Sequence, residues 1–394
     1  MKPVDVMDLD FGVLGPLQLS VGGSLVPLGT PKQRAVLAIL LINRNRPVSR
    51  ESLISATWED WPPPDPAASL HAYVSNLRRL LGTARVDPRT VLASAAPGYR
   101  LSVPDEACDL GRFIAEKTAG VRAAALGRSE EASGHMSAAL AQWRGPVLDD
   151  LREFRFVEAF SPALVEEKVV AHTVRVEAEI ACGRAYSVIS ELEALVSEHP
   201  YREPLWAQLM TAYYLAQRQS DALDAYGRLR TTLAEDLGID PGPMVRGLHD
   251  RILRQEPLDV KQTARDNAVD IATVLERRIS GSAASAPSEN LKKAHLRDAS
   301  GRCYPLEAVA TGIGRLADND IVLDDPKVSR HHAVIVNTGT SFVINDLRSA
   351  NGVEVAQQHI RGAATLSDGD VISIAGYRFI FEVAAEERHD HHAT

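Results

Sequence analysis

Two arginines, a serine and an asparagine stand in polar loops near the C-terminus of the chain. The loops contain Gly314-Arg315, Ser329-Arg330 and Asn351-Gly352. Each follows a short β-type segment, and loops on a rigid sheet commonly present binding residues. Guanidinium groups, a hydroxyl and an amide that converge form a pocket for an anion, and phosphate suits them best. No general base or nucleophile pair accompanies them, so the sequence predicts a site that holds phosphate without cleaving it.

The elements that must position these loops form an all-β zone. Short apolar stretches separated by Gly, Asn and Asp turns predict a β-sandwich. The eleven predicted strands cover 292–297, 303–306, 308–313, 320–322, 333–337, 341–345, 353–355, 359–360, 364–366, 370–374 and 377–383.

The N-terminal zone, residues 9–105, mixes strands and helices. A strand is predicted over 10–19 and helices over 32–43, 50–58 and 67–81, with Thr30 and Ser49 as N-caps of the first two. A hairpin over 91–103, with its turn at Pro97-Gly98, closes the zone. This order is typical of a winged helix-turn-helix.

The third predicted helix has a core stripe and a polar face. Leu70, Val74, Leu77 and Leu81 follow helical spacing. Asn and Arg side chains on an exposed helix suit the major groove of DNA. The predicted DNA-binding residues are His71, Ser75, Asn76, Arg78 and Arg79 on this helix, and Arg100 at the hairpin tip.

Residues 106–255 read as successive helices. Gly183-Arg184 and Gln217-Arg218 open similar segments 34 residues apart, which is the period of tetratricopeptide repeats. Adjacent acids such as Asp149-Asp150 point apart on a helix and predict solvated faces. No Gly-x4-Gly-Lys-Ser/Thr loop occurs, so we expect no P-loop hydrolysis and no enzyme activity.

Composition allows two or three domains in the 394 residues. The three cysteines match no zinc or disulfide framework, and we expect neither a metal nor a cofactor. A signal peptide and a membrane span are not predicted, which favours a cytoplasmic protein. Of the net charge of −9, residues 1–105 carry 11 Lys and Arg against 9 Asp and Glu. Only this zone has a net charge that does not repel nucleic acid.

The N-terminal two thirds resemble the SARP-type regulators of actinobacteria. The resemblance rests on residues 30–34, 73–82 and 98–101, including the run Tyr73-Val74-Ser75-Asn76-Leu77-Arg78-Arg79. It implies an OmpR-like winged helix, with Asn76 on the recognition helix and Arg100 on the wing. A bacterial transcriptional activation domain follows over residues 110–255. The loop from Trp58 to Asp65 matches a segment that touches RNA polymerase in this fold; the alternative is that its tryptophans and prolines only stiffen a turn.

Residues 292–384 resemble the forkhead-associated (FHA) domain. Its signature is Gly-Arg, Ser-x-x-His and Asn-Gly, and all three occur here. The resemblance implies that Arg315 and Ser329 hold the phosphate of a phosphothreonine, Arg330 adds charge, and Asn351 bonds the peptide backbone. It gives Gly314, His332 and Gly352 structural roles. Relatives often carry Ser or Thr before Asn-Gly, where this chain has Ala350; either Arg330 compensates or the affinity is lower.

The expected architecture is multidomain: an α+β winged helix-turn-helix over 1–105, an all-α TPR-like activation domain over 106–255, a linker over 256–290, an all-β FHA sandwich over 291–384 and a disordered tail over 385–394. This order resembles mycobacterial SARP-family regulators of cell-wall arabinan synthesis genes. It predicts an activator that binds promoter DNA, a Ser/Thr protein kinase and RNA polymerase, with a homodimer as a further possibility. The alternative is a phosphopeptide-dependent scaffold without sequence-specific DNA binding.

Overall fold

The computed structural model describes residues 9–59, 61–84, 86–279, 294–306, 310–315, 319–330, 332–337, 342–347, 349–360 and 363–383. The chain divides into two compact units. Unit 1 comprises Met1–Ile114, Ala141–Glu167 and Val274–Thr394, and unit 2 comprises Ala115–Leu140 and Lys168–Thr273. None of the described helices is both long enough and apolar enough for a membrane span.

The N-terminal zone forms two small antiparallel sheets around three main helices, with strand orders β1-β2-β3 and β4-β6-β5. The elements are β1 Leu9–Gly12, β2 Gln18–Val21, β3 Ser24–Leu25, α1 Pro31–Ile42, β4 Pro47–Ser49, α2 Arg50–Trp58, α3 Pro66–Leu81, a short α4 Pro88–Val91, β5 Leu92–Ala95 and β6 Gly98–Leu101.

Local signals at the helix starts act as expected. The side chains of Thr30 and Ser49 accept hydrogen bonds from the backbone N–H of Gln33 and Ser52, at 3.4 and 2.9 Å. The helix α3 begins slightly earlier than predicted, because Asp65 is its N-cap. Its four predicted core side chains are buried: Leu70, Val74, Leu77 and Leu81.

The single strand predicted over 10–19 is wrong, since β1 and β2 are separate strands. Gly15-Pro16 interrupts the ladder, and Pro has no N–H to donate. The backbone N–H groups of Val13 and Leu14 instead donate to the buried carboxylate of Asp109, at 2.9 Å. A side chain far along the sequence therefore replaces sheet pairing at this turn.

The predicted position of Arg100 at the hairpin tip is also wrong. The register pairs Ala95 with Gly98, so the two residues Ala96-Pro97 form the tip. Arg100 lies inside β6, which is the central strand between β5 and β4. The strand β4 was not predicted, because its three residues are too few to show a period.

The chain continues as α5 Asp109–Ala125, α6 Ser129–Leu140, α7 Arg155–Ala181, α8 Ile189–Glu198, α9 Glu203–Leu215, α10 Gln219–Leu237, α11 Pro243–Leu253 and α12 Val260–Ile279. The 34-residue repeat is visible in the turns of unit 2. Gly183 and Gln217 both have positive φ, and the next N–H, from Arg184 or Arg218, donates 2.9 Å to a carbonyl five residues back. The same turn thus precedes two successive helical segments.

The linker predicted over 256–290 is wrong in part, because α12 occupies most of it. The Asp259 carboxylate accepts from the backbone N–H of Gln262 at 3.1 Å and starts the helix. Ala268 and Ala272, one turn apart, are buried. Alanine methyl groups give little hydrophobic contrast, so this stripe is weak in sequence. The Ser- and Ala-rich stretch 280–288 and the tail 385–394 lie outside the described residues.

The C-terminal zone is a β-sandwich of five- and six-stranded sheets, ordered β10-β9-β11-β12-β15 and β14-β13-β16-β17-β7-β8. Its strands are β7 Ala294–Asp298, β8 Cys303–Pro305, β9 Ala310–Gly314, β10 Ile321–Val322, β11 Ala333–Asn337, β12 Phe342–Asp346, β13 Val353–Val355, β14 Gln358–His359, β15 Ala363–Leu366, β16 Val371–Ile374 and β17 Tyr377–Val383. Each predicted strand has a counterpart. Ile335, Ile344, Phe379 and Phe381 are buried in the core between them.

Candidate functional site

Arg315 stands directly after β9 and is held against the loop that precedes β11. Its backbone N–H donates to the carbonyl of Ser329 at 3.0 Å, and its side-chain Nε donates to the carbonyl of Val328 at 3.3 Å. The side chain is otherwise exposed. The Nε edge of the guanidinium is therefore fixed, while its terminal nitrogens have no hydrogen-bond partner among the described residues and can donate to an anion.

Ser329 is connected to the loop that contains Asn351. Its Oγ accepts a hydrogen bond from the backbone N–H of Ala350 at 3.1 Å. A hydroxyl that accepts in this way keeps its own hydrogen for a further acceptor. Ser329 therefore offers a donor beside Arg315, as an anion requires.

Asn351 is exposed, and half of its amide is already engaged. Its Nδ2 donates to the carbonyl of Lys327 at 2.7 Å. This bond orients the amide and leaves Oδ1 as an acceptor, which suits a backbone N–H of an extended peptide.

His332 is fully buried beneath these loops. The backbone N–H of Ser329 donates to Nδ1 at 3.0 Å, and Nε2 lies 2.9 Å from the carbonyl of Gly352. A backbone N–H only donates and a carbonyl only accepts, so the ring takes the neutral Nε2–H tautomer. One imidazole thereby connects the two loops that contain the polar groups.

Two glycines are required by the backbone. A Cβ on Gly314 would lie 2.3 Å from the carbonyl oxygen of Arg330, so no larger residue fits there. Gly352 has φ +72°, a left-handed conformation that favours glycine. Asn319, which sequence analysis missed, is buried and donates from Nδ2 to the same Arg330 carbonyl at 2.9 Å. Nothing in the local pattern marks this asparagine as a brace.

Two further cations lie in the loop that precedes β11. The side chain of Arg330 is exposed, and so is Lys327, whose carbonyl orients Asn351. Lys327 was not predicted as part of the site. His331 lies outside the described residues. The structure thus brings Arg315, Ser329 and Asn351 together through direct hydrogen bonds between their loops.

The predicted DNA-binding residues of α3 divide into two groups. His71, Ser75 and Arg79 are exposed and follow i, i+4, i+8 spacing, so they share one face. Arg78 instead turns to the hairpin, where Nε donates to the Leu92 carbonyl at 2.9 Å and Nη2 to Ser94 Oγ at 3.1 Å.

Asn76 is half-buried. Its Nδ2 donates to Gln33 Oε1 at 3.3 Å, and its Oδ1 accepts from Arg79 at 3.4 Å. Arg100 is exposed on β6. Arg50, which was not predicted, is exposed at the start of α2, and its guanidinium lies 5.8 Å from the Tyr99 ring centroid. The guanidinium of Arg78 lies 5.9 Å from the same centroid.

Three family models match successive parts of the chain. The C-terminal domain of transcriptional regulatory proteins matches residues 26–101, the bacterial transcriptional activator domain matches 108–253, and the FHA domain matches 311–375. Together with the winged helix, the helical middle and the β-sandwich, they define a multidomain transcriptional regulator that carries an FHA domain.

Whole-chain relatives narrow this class. The chain is 66% identical over 378 residues to the transcriptional regulatory protein EmbR of Mycobacterium tuberculosis and of Mycobacterium bovis, covering 96% of each protein. It therefore belongs to the EmbR family of transcriptional regulatory proteins. It is also 54% identical over 252 residues to the transcriptional regulatory protein MoaR1 of M. tuberculosis, covering 64% of this chain and 81% of that relative.

A solved structure agrees across nearly the whole chain. The structure of M. tuberculosis EmbR in complex with a low-affinity phosphopeptide superposes with a TM-score of 0.92 at 64% identity. The match covers 97% of this chain and 99% of that one.

Proposed function

We propose that this chain is a promoter-binding transcriptional activator whose FHA domain docks a phosphothreonine on a Ser/Thr protein kinase or on another partner. The observation that carries this proposal is the connection of Arg315, Ser329 and Asn351 by direct hydrogen bonds between their loops. The related EmbR structure, which contains a phosphopeptide, supports it.

In this proposal each polar group has one task. The Arg315 guanidinium and the Ser329 hydroxyl donate to the phosphate, and such charge-assisted bonds are the strong ones. Asn351 Oδ1 accepts a backbone N–H of the peptide, which fixes its direction. Arg330 adds positive charge, while Gly314, His332 and Gly352 hold the loops.

DNA recognition is assigned to the exposed face of α3. His71, Ser75 and Arg79 face the major groove, with Asn76 beside them. Arg100, on the central strand of the β4-β6-β5 sheet, contacts the phosphate backbone of the DNA. Arg78 contributes by fixing the hairpin to α3, since its guanidinium is bonded to β5.

In this proposal the protein activates transcription by contacting RNA polymerase, and the docked kinase controls that activity. Trp61, in the loop between α2 and α3, is 84% exposed, which suits a contact with RNA polymerase. The kinase phosphorylates this chain and raises promoter binding or polymerase recruitment. By relation to EmbR, the target genes are those of cell-wall arabinan synthesis. The protein acts in the cytoplasm, and direct-repeat sites would seat two copies as a homodimer.

The test is Arg315→Ala in the full chain, with binding of a phosphothreonine peptide from a kinase activation loop measured by fluorescence anisotropy. Losing a charged hydrogen-bond partner of phosphate costs about 2–5 kcal/mol, so affinity should fall by about 30-fold or more.

Arg378→Ala is the matched control, because Arg378 is an exposed arginine on β17 of the same domain. It should bind as the parent chain does, and the unphosphorylated peptide should bind neither. Parent-like affinity in Arg315→Ala would show that the phosphate site is elsewhere.

A further inference from the structure

The five-stranded sheet of the β-sandwich is buried on both faces along β11 and β12. Alternate residues of a strand point to opposite faces. On one face, four side chains belong to the core between the two sheets, namely Ala333, Ile335, Phe342 and Ile344. The side chains of the opposite face are buried as well: Val334, Val336, Val343 and Asn345. Thr365 of β15 lies on that opposite face, since it pairs with Val343, and it is exposed. Another part of the chain therefore covers the outer face at β11 and β12 and leaves it open at β15.

The contact made by Asn345 identifies a segment that lies against this outer face. Its Nδ2 donates to the backbone carbonyl of Ala159 at 3.4 Å, so the first turns of α7 meet β12 there. Residues 155–167 of α7 belong to the same compact unit as the sandwich. Asn345 Oδ1 is buried and has no hydrogen-bond partner among the described residues. A buried amide with one long hydrogen bond adds little stability, so this side chain is better suited to positioning the two elements than to holding the sandwich together.

The same turn of α7 also contacts the winged-helix zone. The backbone N–H of Arg155, one turn before Ala159, donates to Glu59 Oε1 at 2.8 Å. A carboxylate at the first N–H of a helix is favoured by the helix dipole. Glu59 stands at the end of α2, and the exposed Trp61 follows it. One turn of α7 thus connects the sandwich to the loop after α2.

The covered strands are also those that lead to the proposed phosphate pocket. Ser329 lies in the loop that leads into β11, and Ala350 and Asn351 lie in the loop that follows β12. At the start of this second loop, the Asp346 carboxylate accepts from the backbone N–H of Ser349 at 2.9 Å. A surface that fixes β11 and β12 therefore fixes the loops that would hold a phosphopeptide, and a preorganised site binds its ligand more tightly.

We propose that the contact between Asn345 and the first turns of α7 couples the phosphopeptide pocket to the winged-helix zone. An occupied pocket tightens the packing of β11 and β12 on α7, and α7 in turn holds the end of α2 and Trp61. This inference rests on the proposed function, because it concerns the regulation of the same pocket. Such coupling is reciprocal, so the docked helix raises phosphopeptide affinity by the factor with which the phosphopeptide stabilises the docking.

Hydrogen–deuterium exchange followed by mass spectrometry tests the coupling in the full chain. A phosphothreonine peptide from a kinase activation loop should slow exchange at least threefold in two regions outside the pocket, the first turns of α7 and residues 55–61. The unphosphorylated peptide should slow exchange in neither region. Protection confined to the pocket loops, with the peptide bound, overturns this inference and leaves the proposed function standing. A peptide that does not bind at all contradicts the proposed function itself.

Asn345→Ala removes the contact with Ala159 and alters no group assigned to the phosphopeptide. It should lower phosphopeptide affinity by about fivefold and abolish the protection of α7 and of residues 55–61. Thr365→Ala is the matched control, because Thr365 lies on the same face of the sheet and is exposed; it should behave as the parent chain does. Protection of α7 that persists in Asn345→Ala overturns the inference, because a purely structural role of Asn345 changes affinity alone.

Glu59→Ala tests the second step of the route and lies outside the sandwich, so it is informative even if Asn345→Ala fails to fold. It removes the carboxylate that accepts from the N–H of Arg155. The phosphopeptide should then still protect the first turns of α7 and no longer protect residues 55–61. Protection of residues 55–61 at the level of the parent chain contradicts a route through Arg155 and overturns the inference.

Discussion

At the scale of single residues, the proposed phosphate pocket is distinctive in the contact made by Ser329. Its Oγ accepts from the N–H of Ala350, which stands where the FHA resemblance leads us to expect a Ser or Thr hydroxyl. The pocket thus keeps the backbone contact of that position and lacks its side-chain donor. Arg330 and Lys327 are exposed cations in the adjoining loop, and they are the groups able to offset the missing donor.

Ala350→Ser and Arg330→Ala together test this compensation. Ala350→Ser adds a donor without moving the N–H that holds Ser329, so phosphopeptide affinity should rise about threefold to tenfold, as expected for a net gain near 1 kcal/mol. Arg330→Ala should weaken binding by a similar factor. If Arg330 compensates, its loss will matter less in the Ala350→Ser background, and a double-mutant cycle measures that coupling. Additive effects would mean that the two residues act independently.

His332→Ala should destabilise the FHA domain and weaken phosphopeptide binding together. The change leaves the N–H of Ser329 and the carbonyl of Gly352 without their buried partner, at about 1–3 kcal/mol for each group. Urea unfolding followed by far-ultraviolet circular dichroism measures the loss of stability. His359→Ala is the matched control, since His359 pairs with Glu354 on the exposed surface. Equal stability of the two variants would contradict the bracing role of His332.

At the scale of elements, the predictable parts are those with local signals. Caps at Thr30 and Ser49 and the alternation of the C-terminal strands lie within a few residues of what they specify. The missed features depend on partners far along the chain. Asp109 replaces sheet pairing at Val13, 96 residues away. Asp150, predicted as solvated, instead forms a 2.6 Å ion pair with Arg34, 116 residues away.

The candidate site divides in the same way. Arg315, Ser329 and Asn351 were predicted because their residue types and order match a known signature. Asn319 was not predicted, because a buried amide that bonds a backbone carbonyl follows no characteristic spacing along the sequence. The bracing of the hairpin by Arg78 was also missed, since sequence shows that an arginine is polar but not which way it turns. The sequence therefore indicated the exposed polar groups of the candidate site, but not the groups that position them.

The packing of α12 on α7 makes stability depend on pH through Glu177. Burial raises the pKa of Glu177 to about 7, from the ordinary value of 4.5 for a glutamate side chain. Between these values the folded state binds more protons than the unfolded state, so stability falls as pH rises from 5 to 8. The loss should be about 2–3 kcal/mol over that range. Urea unfolding at several pH values measures it.

Glu177→Gln is the comparison that isolates this carboxyl, because other acids titrate in both proteins. The difference in unfolding free energy between the variant and the parent should grow in favour of the variant as pH rises. The Asn267 and Gln208 amides remain able to bond a glutamine oxygen, so the fold is retained. A difference that stays constant from pH 5 to 8 would show that Glu177 titrates as an exposed carboxyl.

At the scale of the whole molecule, the winged-helix zone differs in net charge from the rest of the chain. The chain carries −9 overall, yet residues 1–105 carry a small positive excess. Exposed arginines in this zone include those at positions 50, 79 and 100. The rest of the chain repels DNA, so binding must be directed through the winged helix. This arrangement favours a modest electrostatic attraction to which base contacts add specificity.

Promoter binding should therefore weaken as the salt concentration rises, by an amount set by the number of arginines that contact DNA phosphates. Three phosphate contacts predict a slope of about −3 in log affinity against log salt concentration, or about a 40-fold loss between 50 and 200 mM salt. Arg100→Ala should reduce the magnitude of the slope by about one, whereas Arg246→Ala on α11 should leave it unchanged. Fluorescence anisotropy with promoter and random DNA measures both slope and preference. A slope near zero with equal affinity for both DNAs would favour a phosphopeptide-dependent scaffold, because neither phosphates nor bases would then be read by the winged helix.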